Sequence, residues 1–222
     1  MKFFKLGLAA GAAVAALAGG TANATVYIGY SVNGGVITDS GVSGATSASF
    51  AAKLGSLFRV INASGSTGAL PALLDSAIAL EKIGGRGATL DLFVTATDFS
   101  SLSAIFKSTY SVLNLPVGWT LTESTYYDVA NGKFGGTPVT AAGFASPGMA
   151  IASSGPLWLS GPFSITQQYH IVAPTSTGYA AATDSLVAVP ETATWALMLG
   201  GFGLAGLSLR GRSAKVRIGY NA

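Results

Sequence analysis

The chain has 222 residues, 50% of them hydrophobic and only 9% charged, with 30 glycines and no cysteine. Soluble domains ordinarily carry about 25% charged residues, so this is not an ordinary cytosolic surface, and disulfide scaffolds, thiolate metal sites and a cysteine nucleophile are excluded. The net charge of +3 resides at the ends: Thr25 to Ala188 holds six basic and eight acidic residues, leaving that body at −2. It lacks the clustered cations that nucleic-acid binding requires.

Residues 1–24 read as a secretory signal peptide. Lys2 and Lys5 form a positive n-region, and Leu6 to Ala18 is an uncharged apolar run too short for a comfortable membrane span. Ala22-Asn23-Ala24 supplies the small residues that signal peptidase accepts, so cleavage is expected after Ala24, with Thr25 the new N-terminus.

Residues 25–188 are expected to fold as an all-β, antiparallel sandwich or jelly-roll-like extracytoplasmic domain. Period-two alternation carries that expectation. Val26, Ile28, Tyr30 and Val32 share one face. Leu90, Leu92, Val94 and Ala96 alternate with Thr89, Asp91, Thr95 and Thr97, and only Phe93 breaks the polar face. Phe163, Ile165, Tyr169 and Ile171 alternate with Ser164, Thr166, Gln168 and His170. Asn33-Gly34-Gly35, Gly84-Gly85-Arg86-Gly87, Asn131-Gly132, Ser146-Pro147-Gly148 and Gly161-Pro162 punctuate the strands. Leu70 to Ile83 reads as helix or strand. Leu102 to Leu113 is similarly ambiguous, and its β-branched and aromatic content favours strand.

Catalytic residues are not apparent. The single histidine, His170, sits on the polar face of an expected strand, and no Gly-x-Ser-x-Gly elbow accompanies it. One histidine without cysteine builds no usual zinc site. Asp91, Asp98, Glu123 and Asp128 are the acids from which a glycosidase pair would have to be drawn. A single loop calcium on Asp39 or Asp128 is the one metal reading left open, since no Asp-x-Asp-x-Asp loop exists. No cofactor is expected. Gly201-Phe202-Gly203-Leu204-Ala205-Gly206 matches a dinucleotide fingerprint only formally, because it lies in an apolar run without a βαβ unit. Trp119, Tyr126, Tyr127, Trp158 and Tyr179 are candidates for a sugar-stacking platform, with core packing the default. Thr95-Ala96-Thr97 and Thr120-Leu121-Thr122 are threonine pairs without a regular array.

The C-terminus holds a second apolar run, Ala193 to Leu209, followed by Arg210, Arg212, Lys215 and Arg217. Seventeen helical residues reach roughly 26 Å, which suits a single transmembrane helix in a thin hydrocarbon core. The basic cluster would hold its end in the cytoplasm. The segment Val189-Pro190-Glu191-Thr192-Ala193-Thr194-Trp195-Ala196, with the run and basic end after it, resembles a PEP-CTERM sorting signal of the Trp-Ala variety. Its motif residues here are Pro190, Glu191, Thr192, Trp195 and Ala196, and Thr192 stands where the family's triplet has its second proline. The body loosely resembles the β-rich ectodomains that precede such tails. The resemblance implies a sorting signal over 189–213, a basic tail over 214–222, and processing by an exosortase in a Gram-negative bacterium. It also implies passage through the inner membrane to the cell surface or an exopolysaccharide matrix.

The expected protein is therefore exported, non-catalytic and structural or adhesive, with matrix polysaccharide as its neighbour. The alternative is a small β-sandwich that binds or acts on carbohydrate through aromatic and carboxylate residues.

Overall fold

The computed structural model describes residues 24–189 and a helix over 192–210, with side chains of that helix from Met198 to Leu207. Alternating apolar side chains need two surfaces to bury against, and the chain supplies them as two six-stranded antiparallel sheets packed face to face. The strands are β1 (Val26–Val32), β2 (Thr38–Gly44), β3 (Ser47–Leu54), β4 (Phe58–Ser66), β5 (Ala72–Lys82) and β6 (Ala88–Phe99). They continue with β7 (Leu102–Asn114), β8 (Thr120–Asp128), β9 (Thr137–Phe144), β10 (Gly148–Leu159), β11 (Phe163–Ala173) and β12 (Gly178–Val189). The first sheet runs β2-β1-β6-β11-β8-β9 and the second β10-β7-β12-β5-β4-β3. From β5 onward the chain passes repeatedly between sheets, and β5-β12-β7-β10 facing β6-β11-β8-β9 is the wrapping of a jelly roll. The expected antiparallel sandwich is thus observed.

The glycine-, proline- or asparagine-rich segments named above fall between strands, except that Gly148 is the first residue of β10. Of residues 70–83, legible either way in sequence, Ala72–Lys82 form strand β5, and 102–113 lie in β7. β5 is a strand because both of its neighbours, β4 and β12, pair with it along most of its length. That non-local pairing overrides a local pattern compatible with a helix.

The core is the pair of inner faces. Ile28, Leu90, Leu92, Ile165 and Ile171 of the first sheet meet Phe58, Leu74, Leu80, Phe106 and Leu186 of the second, all fully buried. Fully burying such a side chain contributes about 1.5–3 kcal/mol. Trp119 is also fully buried, its indole donating to the Ser176 hydroxyl at 3.3 Å.

The terminal expectations fall partly beyond this body. The signal peptide up to Asn23, including Ala22, lies outside the described residues, as do Pro190, Glu191, Arg212, Lys215 and Arg217. Ala24 is buried, the Thr25 carbonyl accepts from the Thr97 amide at 3.0 Å, and β1 begins at Val26. Helix α1 (Thr192–Arg210) coincides with the run where a span is expected, and Leu199, Phe202, Leu204 and Leu207 on it are exposed. Among the described residues no helix is long and apolar enough to cross a membrane. The expected span, Ala193–Leu209, extends beyond the described side chains at both ends.

Candidate functional site

The outer face of the first sheet is divided in two by the connection between β8 and β9. Residues 129–136 do not turn back directly. They cross β11 and β6 as a strap and reach β1 and β2. Asp128 starts the crossing by accepting from the Ala130 amide at 2.8 Å and the Gly132 amide at 3.1 Å. Asn131 donates to Asp98 at 2.7 Å and accepts from the Asp98 amide at 2.8 Å. The Phe134 and Gly135 amides donate to the hydroxyls of Thr95 and Thr166, and Ser164 donates to the Gly132 carbonyl at 2.5 Å. At the far end Lys133 lies over the Tyr27 ring, 3.7 Å from its centroid, and donates to Asp39 at 3.1 Å. The amide of Gly41 and that lysine hold the Asp39 carboxyl below its ordinary pKa.

Phe134 has φ 59°, a left-handed conformation that is unusual for a bulky side chain. Its ring packs against Phe93, centroids 6.1 Å apart, and above Gly29, where a Cβ would come within 2.9 Å of the ring. Phe93, the one apolar residue on the polar side of β6, therefore has a partner, and Thr95, Thr97, Ser164 and Thr166 are buried beneath the strap.

Beyond the strap the same face is open. Aligned across it are Asp91, His170 and Thr122 in one row, and Phe93, Gln168 and Ser124 in the next. Tyr126 donates to Gln168 Oε1 at 2.9 Å, Gln168 Nε2 donates to Asp91 Oδ1 at 2.8 Å, and His170 Nδ1 lies 2.7 Å from the same oxygen. With the carboxylate as acceptor the ring donates from Nδ1, leaving Nε2 as the free ring atom. His170 is 42% exposed at its side chain and Asp91 only 12%, so the acid anchors the array and the ring is offered to solvent. A shallow recess of about 440 Å³, bounded by Asn33, Thr89, Val172 and Pro174, extends the open area past the Asp91 row. A larger recess of about 650 Å³ lies on the outer face of the second sheet, lined mainly by serines such as Ser47, Ser49, Ser64 and Ser185. It offers hydroxyls, but no ring or amide fixed by neighbours, so the first sheet is the better-built surface.

The expected solvent-facing histidine is observed, with an acid partner that sequence spacing did not reveal. The four acids considered for a glycosidase pair are spread over three places. Asp91 is on the outer face of the first sheet, Glu123 is fully buried on its inner face, and Asp98 and Asp128 brace the strap. Asp39 and Asp128, named for a loop calcium, have their oxygens engaged by backbone amides and Lys133. Among the described residues no three His, Asp or Glu side chains converge as a metal site.

The five aromatics do not form one platform. Trp119 is in the core, Tyr127 packs against it, and Tyr126 belongs to the polar array. Trp158 and Tyr179 are 73% and 42% exposed on the second sheet, Trp158 paired with Ser103 and Tyr179 with Glu81, at opposite ends of that sheet's strands. The Gly201–Gly206 fingerprint lies within helix α1, with no strand-to-helix turn around it.

No family model matches the chain, and no curated protein matches it. Among solved structures, TmCBM61 in complex with β-1,4-galactotriose is similar over 64% of this chain and 88% of its own, at 8% identity and a TM-score of 0.34. The isomalto-dextranase of Arthrobacter globiformis T6, complexed with panose, is similar over 72% of this chain and 22% of its own, at 11% identity and a TM-score of 0.22. Likeness this slight assigns neither a ligand nor an activity.

Proposed function

We propose that this chain is an exported, non-catalytic surface or matrix protein whose sandwich binds polysaccharide through the open half of the first sheet's outer face. One observation carries the reading: Tyr126, Gln168, Asp91 and His170 form a continuous hydrogen-bonded array, half-buried except for the buried Asp91, on the first sheet's outer face. Side chains fixed by one another lose little rotamer freedom on binding, which lowers the cost of capturing a polar ligand. Hydroxyls of Thr122 and Ser124 lie beside the array, and the strap forms a wall along it. Sugar rings match such a surface, because their hydroxyls bond to amide, imidazole and hydroxyl groups while their C–H faces stack on a tyrosine ring. The separation of Asp91 from Glu123 by the thickness of the sheet favours binding over a two-carboxylate hydrolysis.

Export rests on the three-zone N-terminus, and sorting on the resemblance of Val189–Ala196 and its basic end to an exosortase signal. The binding reading is tested by pull-down of the exporting cells' own matrix polysaccharide with the purified protein. Retention is expected for the wild type. A Gln168→Ala, His170→Ala double variant should bind about 10-fold or more weakly, since each lost hydrogen bond contributes about 1 kcal/mol. Equal retention by wild type and variant would overturn the assignment of this face.

A further inference from the structure

A layer of polar side chains crosses the middle of the sandwich, where facing sheets ordinarily bury apolar groups. Ser76, Asp184 and Tyr110 align across the second sheet, and Gln167, Thr125 and Thr140 across the first, with Tyr169 and Glu123 paired in the adjacent row. The hydroxyls largely satisfy one another. Tyr110 donates to Thr140 at 2.8 Å, Ser108 and Thr140 are 2.8 Å apart, and Ser76 and Tyr169 are 2.7 Å apart. Thr125 donates to Asp184 Oδ2 at 3.3 Å, and Gln167 Nε2 donates to the Leu74 carbonyl at 3.1 Å.

Four oxygens are left without a hydrogen-bond partner among the described residues: both of Glu123, Oδ1 of Asp184 and Oε1 of Gln167. All three residues are essentially inaccessible to solvent. Asp184 acts on Glu123 electrostatically across the gap between sheets, while Asp184 itself faces the charge of Asp75 and is approached by the Gln167 amide as a donor. Among the described residues no lysine, arginine or histidine pairs with either acid. Thr125 gives Asp184 one donor, but both oxygens of Glu123 and one of Asp184 are buried without one, which is unfavourable unless a proton, a water or an ion answers them.

We propose that Glu123, Asp184 and Gln167 together hold one oxygen-seeking divalent cation of the calcium class between the two sheets. Two carboxylates cancel the charge of one such ion. The unpartnered amide oxygen is a neutral ligand of the kind calcium accepts, and Thr125 supplies a neighbouring hydroxyl. No sulfur or imidazole is present, which disfavours zinc and copper. The competing occupant is the proton. Burial pushes Glu123 up to about 9 and Asp184 up to about 8, so protons hold these oxygens through neutral pH and the cation competes on even terms only from about pH 8 upward. The site is enclosed, so the ion enters as the sheets close and its binding energy adds to folding.

The test uses the full chain, unfolded in denaturant with chelator and refolded at pH 8 with or without calcium. About one equivalent of calcium should survive gel filtration. At roughly 100-fold excess over Kd, Tm should rise by about 5–10 °C, with a smaller rise for magnesium. Glu123→Gln and Asp184→Asn should abolish the rise, while the surface variants Asp39→Asn and Asp128→Asn keep it. Equal Tm with and without calcium in the wild type, with no metal retained, would overturn the proposal in favour of protonated acids, whether or not the interior variants fold. A rise that persists in Glu123→Gln, or disappears in Asp128→Asn, would overturn it by locating the ion elsewhere.

Discussion

Phe93 and Gly29 show how single residues on an outer face are governed by a segment far away in sequence. Phe93 interrupts an otherwise polar alternation because Phe134 arrives over it, and Gly29 lacks a side chain where that ring needs room. Adding a methyl at Gly29 places a carbon 2.9 Å from three-coordinate ring atoms of a side chain already held in a left-handed backbone conformation. Gly29→Ala should therefore destabilise the protein by about 1–3 kcal/mol, the range of overpacking. In a Phe134→Ala background the same change should cost less, a coupling of at least ~0.5 kcal/mol by denaturant unfolding. Strictly additive costs would show that the ring is not what the glycine accommodates. His170 makes a related point. Its place on a wet strand face follows from alternation alone, but its hydrogen bond to Asp91 depends on which strands are neighbours, which period two does not encode.

At the level of elements, alternation and turn residues locate β1, β6 and β11 without reference to the rest of the chain. They fail for β5, where Ala77-Ile78-Ala79-Leu80 fits either period and long-range pairing decides. They fail again at the strap, because residues 129–136 have the glycine-rich composition of a hairpin turn yet span four strands of the sheet. The burial of Ser164, Thr166, Thr95 and Thr97 follows from that crossing and contradicts their polarity. The interior polar layer was equally hidden. Glu123 and Asp184 sit at inward positions of β8 and β12 by phase, but a charged residue at such a position ordinarily argues for an outward face. Only when five strands from two sheets bring Ser, Thr, Tyr and Gln around them does the placement become intelligible.

For the whole molecule, the charge distribution and the strand content point to a body and two distinct ends. The body is a wrapped sandwich with an all-polar array on one outer face and a buried polar layer beneath the same sheet. The resemblance of residues 189–213 to an exosortase signal predicts that the tail is absent from surface material. Intact-mass spectrometry of protein released from the cell surface should find chains that begin near Thr25 and end close to the Pro190-Glu191-Thr192 triplet. Recovery of chains ending at Ala222 from that fraction would contradict processing.

The proposed ligand face can be mapped directly by amide chemical-shift perturbation, titrating the labelled protein with a partial hydrolysate of polysaccharide from the cells that make it. Saturable shifts are expected, confined to β6, β8 and β11 around Asp91, Thr122, Ser124, Tyr126, Gln168 and His170, with the strap moving less. Shifts clustered instead on the serine-lined face of β3, β4 and β5, or none at millimolar sugar, would contradict it.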